Sequence, residues 1–143
     1  MSKSNAAQNI NGWIIIDKPT GMTSTAVVNK IKWACSARKA GHAGTLDPSA
    51  TGILAIALGE ATKTIPYVTE QVKSYTFEVK WGEATDSDDS DGKIIQTSQM
   101  RPSEQDINAI LPRFRGEIKQ TPPFFSAVKI NGRRAYELAR SGE

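Results

Sequence analysis

Between Gly41 and Leu54 the chain reads Gly-His-Ala-Gly-Thr-Leu-Asp-Pro-Ser-Ala-Thr-Gly-Ile-Leu, a glycine-rich turn that holds one carboxylate, Asp47, ahead of an apolar stretch. Gly41, Gly44 and Gly52 permit backbone conformations or close approaches that a Cβ resists, while Pro48 fixes its own φ and pushes Asp47 toward the extended region. A side chain placed this way has little freedom. Asp before Pro is also an ordinary turn or helix-start dipeptide, so the weight rests on the whole string and on what surrounds it.

The surrounding pattern describes one compact α+β unit. Trp13 to Ile16 reads as a short buried strand, and Thr23 or Ser24 caps a helix whose inner face is Val27, Val28, Ile31 and Ala34 or Cys35. Ile53 to Leu58 is an apolar run of strand length, followed by a short helix from Glu60 toward Val68. Tyr75, Phe77, Val79 and Trp81 alternate with polar residues, which predicts a strand. Its partner near Lys93 to Thr97 would close a long-looped hairpin around an acidic segment. Ser103 and Asp106 form an approximate capping box before a helix face of Ile107, Ile110, Leu111 and Phe114, which Pro112 bends or ends. Phe124 to Ile130 reads as strand-like, and Gly132 starts a last basic helix that stops around Gly142. No internal repeat, heptad or low-complexity linker interrupts the chain.

A length of 143 residues suits one domain, able to bury about 68% of its unfolded surface. Cys35 is the only cysteine, which excludes an internal disulfide and favours a reducing, cytoplasmic compartment. The apolar run at Trp13 to Ile16 is too short for a signal-peptide core or a membrane span. Net charge is only +3, but Glu83 to Asp91 holds five acidic and no basic residues, so the remainder is distinctly basic. Between Leu111 and Arg140, seven basic residues (Arg113, Arg115, Lys119, Lys129, Arg133, Arg134, Arg140) face two acidic ones, Glu117 and Glu137. Such an excess attracts a phosphate backbone, although an ordinary solvated face has the same composition.

Four ordered motifs carry a resemblance. They are Asp17-Lys18-Pro19-x-Gly21-x-Thr23-Ser24; the Asp47 turn continuing through Leu58-Gly59-Glu60-Ala61-Thr62-Lys63; Tyr75 through Gly92; and Pro122-Pro123-x-x-Ser126-Ala127-x-Lys129-x-x-Gly132-x-x-x-Tyr136-x-x-Ala139-Arg140. In order and spacing this set resembles the TruB-type tRNA pseudouridine synthases. The resemblance covers nearly the whole chain after Gly12. It implies a pseudouridine-synthase-like α+β fold, with a mixed, largely antiparallel sheet and flanking helices. It also implies isomerisation of uridine to pseudouridine in the T-loop of tRNA, at the uridine usually numbered 55.

That reaction breaks the N1–C1′ bond of a uridine, turns the uracil and rejoins it through C5. It has no redox step, so no cofactor is needed; the central requirement is a carboxylate that attacks carbon or stabilises positive charge at C1′. Asp47 is the candidate. A glycoside hydrolase also works at an anomeric carbon, but it usually needs two flanking carboxyl groups, and none accompanies Asp47 near the turn. The resemblance makes Tyr75 the active-site tyrosine, stacked on the target base and able to serve in proton transfer; its plainer reading is a core aromatic. His42, the only histidine, matches the residue that helps hold the target nucleotide out of the RNA stack. With no second histidine or nearby cysteine, no metal site is expected.

The segment Asp86 to Gly92 fails as a calcium loop, because the aligned first and last ligand positions are Ser87 and Ser98. The resemblance instead implies that Asp89 pairs with an arginine that also contacts the catalytic aspartate. That arginine belongs to a later motif, no part of which precedes Glu143. The resemblance therefore covers an N-terminal part of the synthase. Residues 1–11 are expected to be a flexible N-terminus, and 12–143 part of the catalytic domain. The latter includes an acidic loop at 83–92 and a thumb-like RNA-gripping segment at 120–143; the rest of that domain and a C-terminal RNA-binding domain would be absent. Lys129, Arg133, Arg134, Tyr136 and Arg140 are the thumb's candidate RNA contacts, with Lys18 and Lys63 beside the first two motifs. The expected partner is the tRNA T-stem-loop, bound by a monomer with no membrane and no required protein partner. The alternative is a non-catalytic RNA-binding module.

Overall fold

The computed structural model describes residues 8–121, 129–130 and 132–134. Where the sequence suggests one compact unit, the chain divides into two, Met1–Tyr75 and Thr76–Glu143.

The first unit is built on a three-stranded antiparallel sheet. Strand β1 (Gly12–Lys18) leads to helix α1 (Ser24–Ala34), then β2 (Ala40–Ala43) and β3 (Gly52–Leu58). The order is β1-β3-β2, with the most apolar strand in the centre. Register pairs Ile14 with Ile56 and Ile16 with Leu54, so one pleat face gathers large aliphatic side chains. Leu54, Ile56 and Leu58 are buried with Val27 and Val28 of α1, and Ile10, Ile14, Ile16 and Ile31 pack around them. Each large aliphatic side chain so buried contributes about 1.5–3 kcal/mol. Trp13, Ile15 and Ile53 are exposed.

Thr23 is the N-cap of α1, its hydroxyl accepting from the Ala26 amide at 3.1 Å. Of the expected inner face, Val27 and Val28 are buried, Ile31 and Cys35 half-buried, and Ala34 exposed. After β3 the backbone tightens into a 3-10 helix, Gly59–Thr64, before a short α2 (Ile65–Thr69). From Gln8 to Asn11 the chain is tied to the first unit. Gln8 bridges Ala37, and the Asn11 side chain accepts from the Glu60 amide at 2.7 Å.

In the second unit β4 (Glu83–Thr85) and β5 (Ile94–Thr97) form a hairpin around the acidic segment. The strand predicted at Tyr75 to Trp81 is absent: among the described residues that segment joins no ladder, and Trp81 already lies in a turn. The reason lies in the acidic loop. The Asp86 amide donates to the Lys93 carbonyl at 3.0 Å, and the Asp86 carboxylate accepts from the Lys93 amide at 2.9 Å. This short closure gives β5 to residues 83–85, and the alternating segment is left without a ladder partner.

Helix α3 (Glu104–Ile110) has the predicted capping box between Ser103 and Asp106. It ends at Ile110, and a 3-10 turn containing Pro112 follows. The helix expected from Gly132 is corrected at its start: β6 (Lys129–Ile130) pairs antiparallel with β7 (Arg133–Arg134). Gly132, at φ +86°, makes the tight turn between them.

Candidate active site

The Asp47 turn is the connection between β2 and β3, so both of its ends are anchored in the sheet. The glycine reading holds. Gly44 (φ +93°) and Gly52 (φ +127°) adopt left-handed backbone that a side chain disfavours. A Cβ on Gly41 would come within 2.9 Å of Ile65 Cδ1.

Inside the turn the backbone is gripped from the segment joining β1 to α1. The Ser24 hydroxyl, 2% exposed, donates to the Leu46 carbonyl and accepts from the Leu46 amide, each at 3.0 Å. The Gly21 amide donates to the Pro48 carbonyl at 2.7 Å, and the Thr20 hydroxyl to the Ser49 carbonyl at 3.2 Å. The turn also closes on itself, Ala50 donating to the Asp47 carbonyl at 3.1 Å. With its backbone held at Leu46, Pro48 and Ser49, Asp47 remains exposed. A fixed backbone beneath a reachable carboxylate is what group-transfer chemistry at carbon requires.

Lys18 is corrected by this geometry. It is fully buried, and its ammonium donates to the carbonyls of Pro19 (3.0 Å), Met22 (2.8 Å) and Pro48 (3.4 Å). An ammonium has three donors, and each is engaged on backbone next to the Asp47 turn. Lys18 is an internal brace and is withdrawn from the RNA-contact set.

His42 lies in β2 opposite Ile56, with Nδ1 hydrogen-bonded to the Gly44 carbonyl. A carbonyl only accepts, so Nδ1 is the donor in this hydrogen bond. His42 is thereby locked to the start of the same turn that presents Asp47. Lys73 reaches back to this turn, its Cε lying 3.8 Å from where a Cβ on Gly44 would stand. Tyr75 follows two residues later and is 66% exposed. Lys63 is ion-paired to Glu60 on the surface of the 3-10 helix. Their hydrogen bond, then their opposite charges, lower the Glu60 pKa and raise that of Lys63.

In the second unit Asp89 organises its own loop. Its Oδ1 accepts from the Ser87 hydroxyl (2.5 Å) and the amides of Asp91 (3.0 Å) and Gly92 (3.2 Å). Lys129 and Arg134 pair in the β6–β7 ladder, and Arg133 is exposed. Tyr136 and Arg140 lie outside the described residues. Sequence reasoning did not single out the contact of Ser24 with the turn: it read Thr23 or Ser24 as alternative helix caps, whereas Thr23 caps and Ser24 turns to Leu46. Two adjacent hydroxyls where one cap is needed were the available signal.

This antiparallel α+β arrangement is shared with a solved structure of a Cbf5–Nop10–Gar1 complex. The matched chain there is 31% identical, aligned over 85% of this chain and 31% of that one with a TM-score of 0.56. Residues 32–143 match the model of the TruB family pseudouridylate synthase N-terminal domain, and the chain belongs to that family. Relatives called tRNA pseudouridine synthase B are 59% identical in Ruegeria pomeroyi (all of this chain, 47% of that protein). One in Mesorhizobium japonicum is 57% identical (94% of this chain, 41% of that protein). The chain thus spans about half the length of the curated relatives it matches. Among the described residues, no helix is long and apolar enough to cross a membrane.

Proposed function

We propose that this chain carries the catalytic aspartate of a synthase that isomerises uridine to pseudouridine in the T-loop of tRNA, at position 55. The observation that carries the reading is an exposed Asp47 on a turn whose flanking peptides are hydrogen-bonded to buried groups of the first unit. Kinship with proteins named tRNA pseudouridine synthase B supports the same reaction.

In this reading the target uridine leaves the loop's stack and its C1′–N1 bond meets the Asp47 carboxylate. That bond breaks, the uracil turns, and C5 bonds to C1′. The C5 proton is then lost to solvent and N1 gains one. Tyr75, exposed and two residues beyond Lys73, stacks on the base and serves in proton transfer. His42 fills the space the nucleotide vacates, at a cost in unstacking that its ring and hydrogen bonds offset. Lys63, Lys129, Arg133, Arg134, Tyr136 and Arg140 contribute contacts to the RNA backbone and loop. Asp89 contributes a carboxylate for the arginine that steadies Asp47. The synthase works in the cytoplasm without a cofactor.

The test is tritium release from a T-stem-loop RNA labelled at uracil C5. It would use this chain and this chain continued by the remaining half of the Ruegeria pomeroyi relative, each with and without Asp47→Asn. Asp47→Asn is expected to abolish release by whichever protein is active while changing RNA affinity less than threefold. Retained release would remove Asp47 from the reaction. Binding without release by both unsubstituted proteins would favour the non-catalytic RNA-binding module.

A further inference from the structure

The hydroxyl of Ser24 meets both polar groups of Leu46, the residue immediately before Asp47. A hydroxyl offers one donor and two acceptor sites. Here the donor is used on the Leu46 carbonyl, which belongs to the peptide leading into Asp47, and an acceptor site on the Leu46 amide, one peptide earlier. Both contacts lie at 3.0 Å, and the serine is 2% exposed. One buried atom therefore fixes the orientation of two successive peptide planes. On the other side Pro48 disfavours helical backbone at Asp47, and one peptide further on the Pro48 carbonyl is held by the Gly21 amide at 2.7 Å. Asp47 thus has its preceding peptide clamped by Ser24, the peptide after Pro48 clamped by Gly21, and a carboxylate open to solvent.

We infer that Ser24 is a positioning residue for the reaction: its hydroxyl sets the direction of the Asp47 carboxylate and touches neither RNA nor the reacting atoms. The inference rests on the reading of Asp47 given above. Its adjacent residue supplies a control. Thr23 sits at the same helix end with its hydroxyl on the Ala26 amide, so Thr23→Ala removes a helix cap without touching the turn. Ser24→Ala removes both Leu46 contacts and leaves Thr23 in place.

Misplacing a reacting group by about 1 Å costs on the order of a hundredfold in rate. Ser24→Ala is therefore expected to lower kcat tenfold to a hundredfold on T-stem-loop RNA, with KM changed less than threefold. Thr23→Ala should change kcat less than threefold. Both are assayed below their melting temperatures, in the chain continued by the Ruegeria pomeroyi half. In the 143-residue chain itself, amide exchange at Leu46 should be at least tenfold faster in Ser24→Ala than in Thr23→Ala. An unchanged kcat in Ser24→Ala, a kcat loss equal to that of Thr23→Ala, or equal Leu46 exchange in the two variants would overturn the inference. Should Asp47→Asn retain turnover, the functional reading falls by itself, and Leu46 exchange alone decides whether Ser24 holds the turn.

Discussion

Lys18 ends β1 with its whole side chain buried and its ammonium on three backbone carbonyls. Those carbonyls belong to the loop before α1 and to the Asp47 turn, so one cation joins two segments that are 30 residues apart at their widest contact. Lys18→Met keeps the length and apolar stem but leaves the carbonyls without their donor. Hydrogen bonds to a charged group are worth about 1.5–3 kcal/mol each, and part of that is recovered by no longer burying an ammonium. A net loss of about 2–4 kcal/mol in urea unfolding is expected. The salt dependence of RNA binding should not move, because the ammonium never meets phosphate. A shallower salt slope in Lys18→Met would return Lys18 to the RNA-contact set.

At the scale of an element, α3 depends on reciprocal capping. The Ser103 hydroxyl accepts from the Asp106 amide at 3.2 Å, and the Asp106 carboxylate accepts from the Ser103 amide at 2.9 Å. The Ser103 hydroxyl, then its amide, hold the Asp106 pKa below its ordinary value. A depressed folded pKa means stability that is fully present above the unfolded value of about 3.9 and lost as pH falls through the folded value. Amide protection in Asp106 to Ile110 should accordingly fall below about pH 4 and not between pH 5 and 8. Ser103→Ala should loosen the helix by about 1 kcal/mol and shrink that acid step, because the residue-103 amide still donates to Asp106; an acid step of undiminished size in Ser103→Ala would place its origin elsewhere. This box was legible because its residues are local, as were β1, β3 and the inner face of α1, where period and hydrophobicity agree. Tyr75 to Trp81 was misread for the opposite reason: alternation marks an apolar face but does not supply a partner strand, and Asp86 closes the hairpin too early to offer β5. The turn around Asp47 was legible through Gly44, Gly52 and Pro48. Its braces, Lys18 and Ser24, were not read, because their contacts span 22 to 30 residues and the single local trace was a second hydroxyl beside the Thr23 cap.

Taken whole, the chain separates its two kinds of surface. Among the described residues the buried aliphatic side chains all belong to the first unit, while Phe77, Ile95, Met100 and Phe114 of the second are exposed. The second unit also holds the acidic loop and the basic stretch that follows α3, so charge of opposite sign is sorted along it. Of the acidic carboxylates, those of Asp86 and Asp89 are engaged in closing their own loop and that of Glu83 pairs with Lys80. The basic residues are therefore the part of this unit suited to meet a polyanion. Each phosphate contact contributes about 0.7–0.9 to the slope of log affinity against log salt. Replacing Arg133 and Arg134 together by alanine should weaken T-stem-loop binding at every salt concentration and flatten that slope by about 1.4–1.8. The Glu83→Gln substitution, on the acidic side of the same unit, should leave the slope in place. Filter binding from low to moderate salt decides the matter. A double variant with weakened binding but an unchanged slope would assign the two arginines to folding of the β6–β7 turn, and phosphate recognition would have to lie on other residues.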